Sequence, residues 1–109
     1  VILNRFTTKA GLEGVVSDIR GEHLAGYVAV PVNAEINTSA LSVHGGITWD
    51  QVTCAYPVQT VNQWRWLGSD CGHAGDTREE CDQTYVEREI EALAGQVIYQ
   101  IIGSLMGKE

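Results

Sequence analysis

The feature that most constrains this chain is a single apolar stripe near its C-terminus. Val86, Ile90, Leu93, Ala94, Val97, Ile101 and Leu105 recur at intervals of three and four, the period of one helix face. The spacing predicts one helix over residues 84–106, about twenty residues long. Thr84-x-x-Glu87 has the form of a capping box, in which each side chain satisfies the other residue's backbone N–H. Gly107 fits a C-cap, and Gly103 weakens the last turns. Ile98 and Ile102 widen the stripe, so the helix is expected to be buried on more than one side.

Ahead of this helix the chain reads as strands. Residues 11–19 and 24–32 are two strands rich in β-branched residues, joined by a turn at Arg20-Gly21-Glu22-His23, and so form an antiparallel hairpin. Pro31 ends the second strand or marks an edge, and His23 is expected to be solvated in the turn. Residues 1–10 are a strand or an arm. Residues 40–44 and 47–49 are expected to be short strands flanking a bend at Gly45-Gly46, and residues 50–62 fit a strand or an ordered loop. Residues 63–69 are an aromatic strand. Its loop, residues 70–83, leads to the helix. About four to six short strands and one long C-terminal helix on one face of their antiparallel sheet make an α+β fold. At 109 residues the chain is one domain, strand-rich over residues 11–70.

Charge narrows the partners. The net charge is −7, and the seven basic residues are scattered, which argues against a nucleic-acid backbone as ligand. Residues 76–91 hold seven acids against Arg78 and Arg88. That density suits a solvated helix entry, or an acidic surface by which the protein inhibits a basic partner. No apolar run approaches a membrane span and no secretory leader reads from the sequence. Three cysteines, Cys54, Cys71 and Cys81, fit free thiols in a reducing, cytoplasmic setting, with a Cys71–Cys81 bridge as the alternative.

Chemically able side chains concentrate in residues 64–76, WRWLGSDCGHAGD. Asp70, Cys71, His73 and Asp76 are metal-capable ligands in one glycine-rich loop, with His44 as a fifth. Their spacing matches no zinc motif, and such loops also favour Asp for turn hydrogen bonds. The expectation is therefore no cofactor, with a divalent metal as the alternative. Gly45 and Gly46 beside His44 fit an anion nest or a plain turn. Cys71 could serve as a nucleophile only if activated by His44 or His73 with a carboxylate behind it. Strand parity puts Trp64, Trp66 and Asp70 on one sheet face and Leu67 on the other. If residues 40–44 are a strand, His44 joins the first group, on the face away from the helix.

Four segments also carry a resemblance. These are Gly26-Tyr27-Val28-Ala29-Val30-Pro31, Val43-His44-Gly45-Gly46-Ile47-Thr48-Trp49, the run from Trp66 through Cys71-Gly72-His73-Ala74-Gly75-Asp76, and Tyr85-Val86-Glu87. Over residues 24–100 the chain resembles a family of small uncharacterised bacteriophage and mobile-element proteins with HGG[LI]T[FWY] and G-x-DC-x-H-x-GD motifs. The resemblance implies a genomic setting and no mechanism. Residues 32–36, VNAEI, depart from the Gly-His-Pro loop of that family, so no role of that loop carries over.

The resulting expectation is a cytoplasmic binding module rather than an enzyme. Its small polar or nucleotide-like ligand would meet His44, Gly45, Gly46, Trp64, Trp66, Asp70 and His73 on an aromatic sheet face. A metal-assisted hydrolase using Asp70, His73 and Asp76 with His44 is the alternative. A homodimer is expected to cover the sheet face that one helix leaves bare.

Overall fold

The computed structural model describes residues 1–107. Its strands are β1 (Ile2–Thr7), β2 (Glu13–Ile19), β3 (His23–Val30), β4 (Trp49–Thr53) and β5 (Trp64–Asp70), followed by one helix, α1 (Gln83–Met106). All neighbours pair antiparallel, in the order β1-β2-β3-β5-β4. The chain is α+β. No helix among the described residues is long and apolar enough to cross a membrane.

α1 lies on β2 and β3. Ile90, Leu93 and Val97 are fully buried there against Val16, Val28 and Leu67; burying each such side chain contributes about 1.5–3 kcal/mol. Close approach depends on missing side chains in the sheet. A Cβ at Gly26 would stand 2.6 Å from Cδ1 of Ile90, so this sheet position accepts the helix only as glycine.

The capping differs from the Thr84–Glu87 box. Asp82 is the N-cap, and its side chain accepts from Tyr85 N. Glu87 instead accepts from Asn4 Nδ2 and Gln83 Nε2. Gly107 is the C-cap, in a right-handed conformation. Burial on more than one side also fails at the C-terminal end, where Ile102 and Leu105 are 51% and 67% exposed. Among the described residues these two side chains are left largely bare.

The far face of the sheet is covered as well. Val15, Ala25, Tyr27, Ala29, Val58 and Trp66 form a second buried cluster. Residues 54–63 fold over it, and Arg5 ties them down by donating to the carbonyls of Val58 and Gln59. Trp66 is fully buried there. A bare aromatic face, and the homodimer expected to cover it, therefore lose their basis.

Residues 40–44 are not a strand. After a 3-10 turn, Thr38–Ala40, the chain runs extended beside α1 and hydrogen-bonds to helix side chains in place of a neighbouring strand. Gln100 bonds the N–H and the carbonyl of Asn37, Gln96 does the same for Ser42, and Glu89 accepts from His44 N. Two of these helix residues, Gln96 and Gln100, are amides able to donate and accept at once. They satisfy the backbone as a ladder would. His23, expected to be solvated, opens β3 and is half-buried beside Gly72.

Candidate functional site

Hanging residues 37–44 on α1 carries His44 to the helix entry. Its Nδ1 meets the Tyr85 hydroxyl at 2.8 Å, and its Nε2 meets Asp76 Oδ1 at 2.9 Å. Cys81 Sγ lies 3.7 Å from the same Nε2. Cys71, just past β5, is held by its N–H on the Leu24 carbonyl at 2.9 Å, and Cys81 by its N–H on Thr77 O at 2.8 Å. The ligand atoms of His44, Cys71 and Cys81 all lie within 4.8 Å of one another, and so do those of His44, His73 and Asp76.

The carboxylates hold the loop. Asp76 Oδ2 accepts from His73 N at 3.0 Å, and His73 Nδ1 stands 3.5 Å from that oxygen. Asp70 accepts from Thr48 Oγ1 and from Gly72 N, which makes it a turn former, and it lies 3.6 Å from His73 Nδ1. Gly45 has φ +70°, and a Cβ there would fall 2.3 Å from Cε1 of His73. Both the turn and the packing of the two loops therefore require glycine at 45. Gly46 N is engaged by Val43 O, so the pair forms a turn rather than two amides open to an anion.

The expected ligand set is thus divided. His44, Gly45, His73, Asp76 and the edge residue Asp70 gather at the helix entry. Trp66 is sealed in the opposite cluster, and Trp64, 38% exposed, lines separate cavities beside Arg5 and beside Pro31. The parity of β5 holds, with Leu67 toward the helix. His44 lies on the helix side because its segment is not a strand, which removes the aromatic floor beneath the imidazole.

Electrostatics sharpen the roles. The hydrogen bond from His44, helped by the backbone N–H of His73, holds the Asp76 carboxyl below the usual range. Burial, and then the bond with Cys81, pushes the Cys71 thiol well up. A buried thiol held protonated is a poor nucleophile. A Cys–His–Asp relay also needs the acid on the nitrogen opposite the thiol. Here the Cys81 thiol and the acid share Nε2, and Tyr85 holds Nδ1. All three cysteines are free thiols.

A cavity of about 350 Å³ opens beside the cluster, lined by His44, Gly75, Asp76, Glu80, Cys81 and Tyr85. Cys81 and Tyr85 are the site residues that sequence reasoning passed over. The signal available was a cysteine pair, Cys71 and Cys81, bracketing His73 and Asp76.

The fold defines the class, a five-stranded antiparallel sheet backed by one C-terminal helix. Comparisons with protein-family models, curated proteins and solved structures find no match.

Proposed function

We propose that the protein is a small metal-binding module, of the mobile-element type its motifs resemble, that seats a small polar ligand beside its ion. One observation carries this reading. The Asp76 carboxylate and the Cys81 thiol meet a single nitrogen, His44 Nε2, and Cys71 joins His44 and Cys81 in one donor group. A proton on that nitrogen serves one of the two at a time, whereas a metal ion would be shared by His44, Cys71 and Cys81 together.

Imidazole, thiolate and carboxylate are the donors of zinc, at about 2.0–2.3 Å; two sulfurs disfavour magnesium or calcium. Donors around zinc at those lengths stand about 3.3–3.8 Å apart, close to the 3.7 Å between Cys81 Sγ and Nε2. Tyr85 suits this role. In the neutral ring, Nε2 donates to Asp76 and Nδ1 accepts from the Tyr85 hydroxyl. With a metal on Nε2, Nδ1 carries the proton and donates to the same oxygen. A hydroxyl accommodates both states.

The test is metal analysis of protein purified without chelator. About one zinc per chain is expected, lost in His44→Ala and in Cys71→Ser while circular dichroism shows the fold retained. Protein with no bound metal and no thermal shift on adding zinc would overturn the proposal.

The second donor group, His44, His73 and Asp76, favours a second reading, metal-assisted hydrolysis. An ion held by those three leaves a coordination position for water on the open side, where the metal lowers the water pKa. Glu80 in the cavity wall is the carboxylate available to take its proton. Ester turnover abolished by chelation and by His44→Ala selects this reading; metal without turnover leaves the binding module.

A further inference from the structure

α1 carries a second stripe that nothing among the described residues covers. Arg88, Ala92, Gly95, Tyr99, Ile102 and Met106 are all exposed and follow one another at intervals of four and three. Such spacing is the seam of a two-helix coiled coil, and it lies opposite the face packed on the sheet. Tyr99 is 80% exposed and Met106 70%. Residues 92–107 contain no charged side chain, an unusual surface for a solvated helix.

Gly95 adds an independent observation. Mid-helix glycine costs about 1 kcal/mol relative to alanine, and a Cβ at this position would meet nothing within 4 Å. Packing inside the protomer therefore gives no reason for it. An open groove of about 470 Å³ lies here, lined by Ala40, Ala92, Gly95, Gln96, Tyr99 and Gln100.

We infer that this stripe is the interface of a homodimer in which two α1 helices pack antiparallel about a two-fold axis near Val97. In that register residue numbers across the seam sum to 194, so Tyr99 of each chain fills the gap at Gly95 of the other, and Ile102 faces Ala92. Every small residue meets a large one. A two-fold interface needs this self-complementarity. The register also lays the acidic first half of each helix beside the uncharged half of its partner. A parallel pair would oppose Gly95 to Gly95 and stack Glu89 and Glu91 on their own copies. The exposed area is on the order of 600 Å² per protomer, about 1,200 Å² in total, at the lower edge of specific interfaces.

The inference does not depend on the metal. Sedimentation velocity from about 1 to 300 μM is expected to show a reversible shift from the 11.9 kDa chain to twice that mass. Gly95→Lys projects into open space in the protomer, so its thermal melt should persist while the dimer is lost; Tyr99→Ala should weaken the dimer. Mixed Ala92→Cys and Ile102→Cys chains should oxidise to a disulfide-linked heterodimer that peptide mapping places at 92–102. A monomer at every concentration, a dimer indifferent to Gly95→Lys, or efficient 92–92 cross-linking would each overturn it.

Discussion

Tyr85 Oη stands 2.8 Å from His44 Nδ1, and the two rings meet edge to face at an interplanar angle of 87°. The tyrosine comes from the first turn of α1 and the histidine from a loop forty-one positions earlier. This contact fixes the direction in which Nε2 points and serves the other nitrogen in either protonation state. Tyr85→Phe keeps the ring and loses the hydroxyl. Zinc affinity, read by competition with a chromogenic chelator, should fall about 10-fold or more, with the thermal melt of the metal-free protein little changed.

Adding zinc should raise the midpoint of thermal unfolding. At a free concentration 100 times the dissociation constant the stabilisation is about 2.7 kcal/mol. Chelator should reverse it, and Cys81→Ser should abolish it. His73→Ala removes a half-exposed imidazole that the Cys-containing group does not use, so it should leave most of the shift in place. Loss of the shift in His73→Ala would instead select the His44, His73 and Asp76 group.

Gln96→Ala removes both hydrogen bonds that hold the Ser42 backbone. A cost of about 1–3 kcal/mol is expected, together with faster amide exchange confined to residues 37–44. Uniform acceleration across the sheet would contradict the idea that this segment is secured locally.

Gly26→Val should cost at least as much. The added side chain enters the space of Ile90, and overpacking of this kind costs about 1–3 kcal/mol, more where backbone must move. Denaturant midpoints would read the loss directly.

Arg65 donates from both Nε and Nη2 to the two carboxylate oxygens of Asp50, each at 2.8 Å. That bond holds the Asp50 carboxyl below its usual range. A folded-state pKa depressed in this way contributes stability above the unfolded value of about 3.9. The contribution disappears as pH falls through the folded value. The pair is partly solvated, so its worth is on the order of 0.5 kcal/mol and declines with salt. Asp50→Asn should lower stability at neutral pH by about that amount, change little well below the folded pKa, and so flatten the acid limb of the profile.

Much of the fold was legible because local pattern and long-range packing agree. The hairpin of β2 and β3, the aromatic strand β5 and the stripe of α1 follow from β-branched runs and a three–four period. The failures share a cause. Residues 40–44 have the composition of a strand, yet their backbone partners are Gln96 and Glu89 on a helix more than forty positions away, and no local pattern announces that. Trp66 has the parity expected of it, but the cover over its face depends on Arg5 reaching residues 54–63. At the cluster, Asp70, His73, Asp76 and His44 were visible as ligand types. Cys81 and Tyr85 join them only because the helix entry and the His44 loop meet in space. The exposed seam from Arg88 to Met106 was present in the sequence, masked by the stronger apolar stripe beside it.

The donors at His44 come from both layers of the protein. Cys71 extends from the sheet, Cys81 and Tyr85 belong to the helix entry, and the His44 segment is suspended from the side chains of Gln96 and Glu89 on the helix. The cluster exists only while helix and sheet stay docked. Its intactness is therefore a local gauge of that docking, and a reporter at Cys71 or Cys81 would register the parting of the layers before the strands themselves come undone.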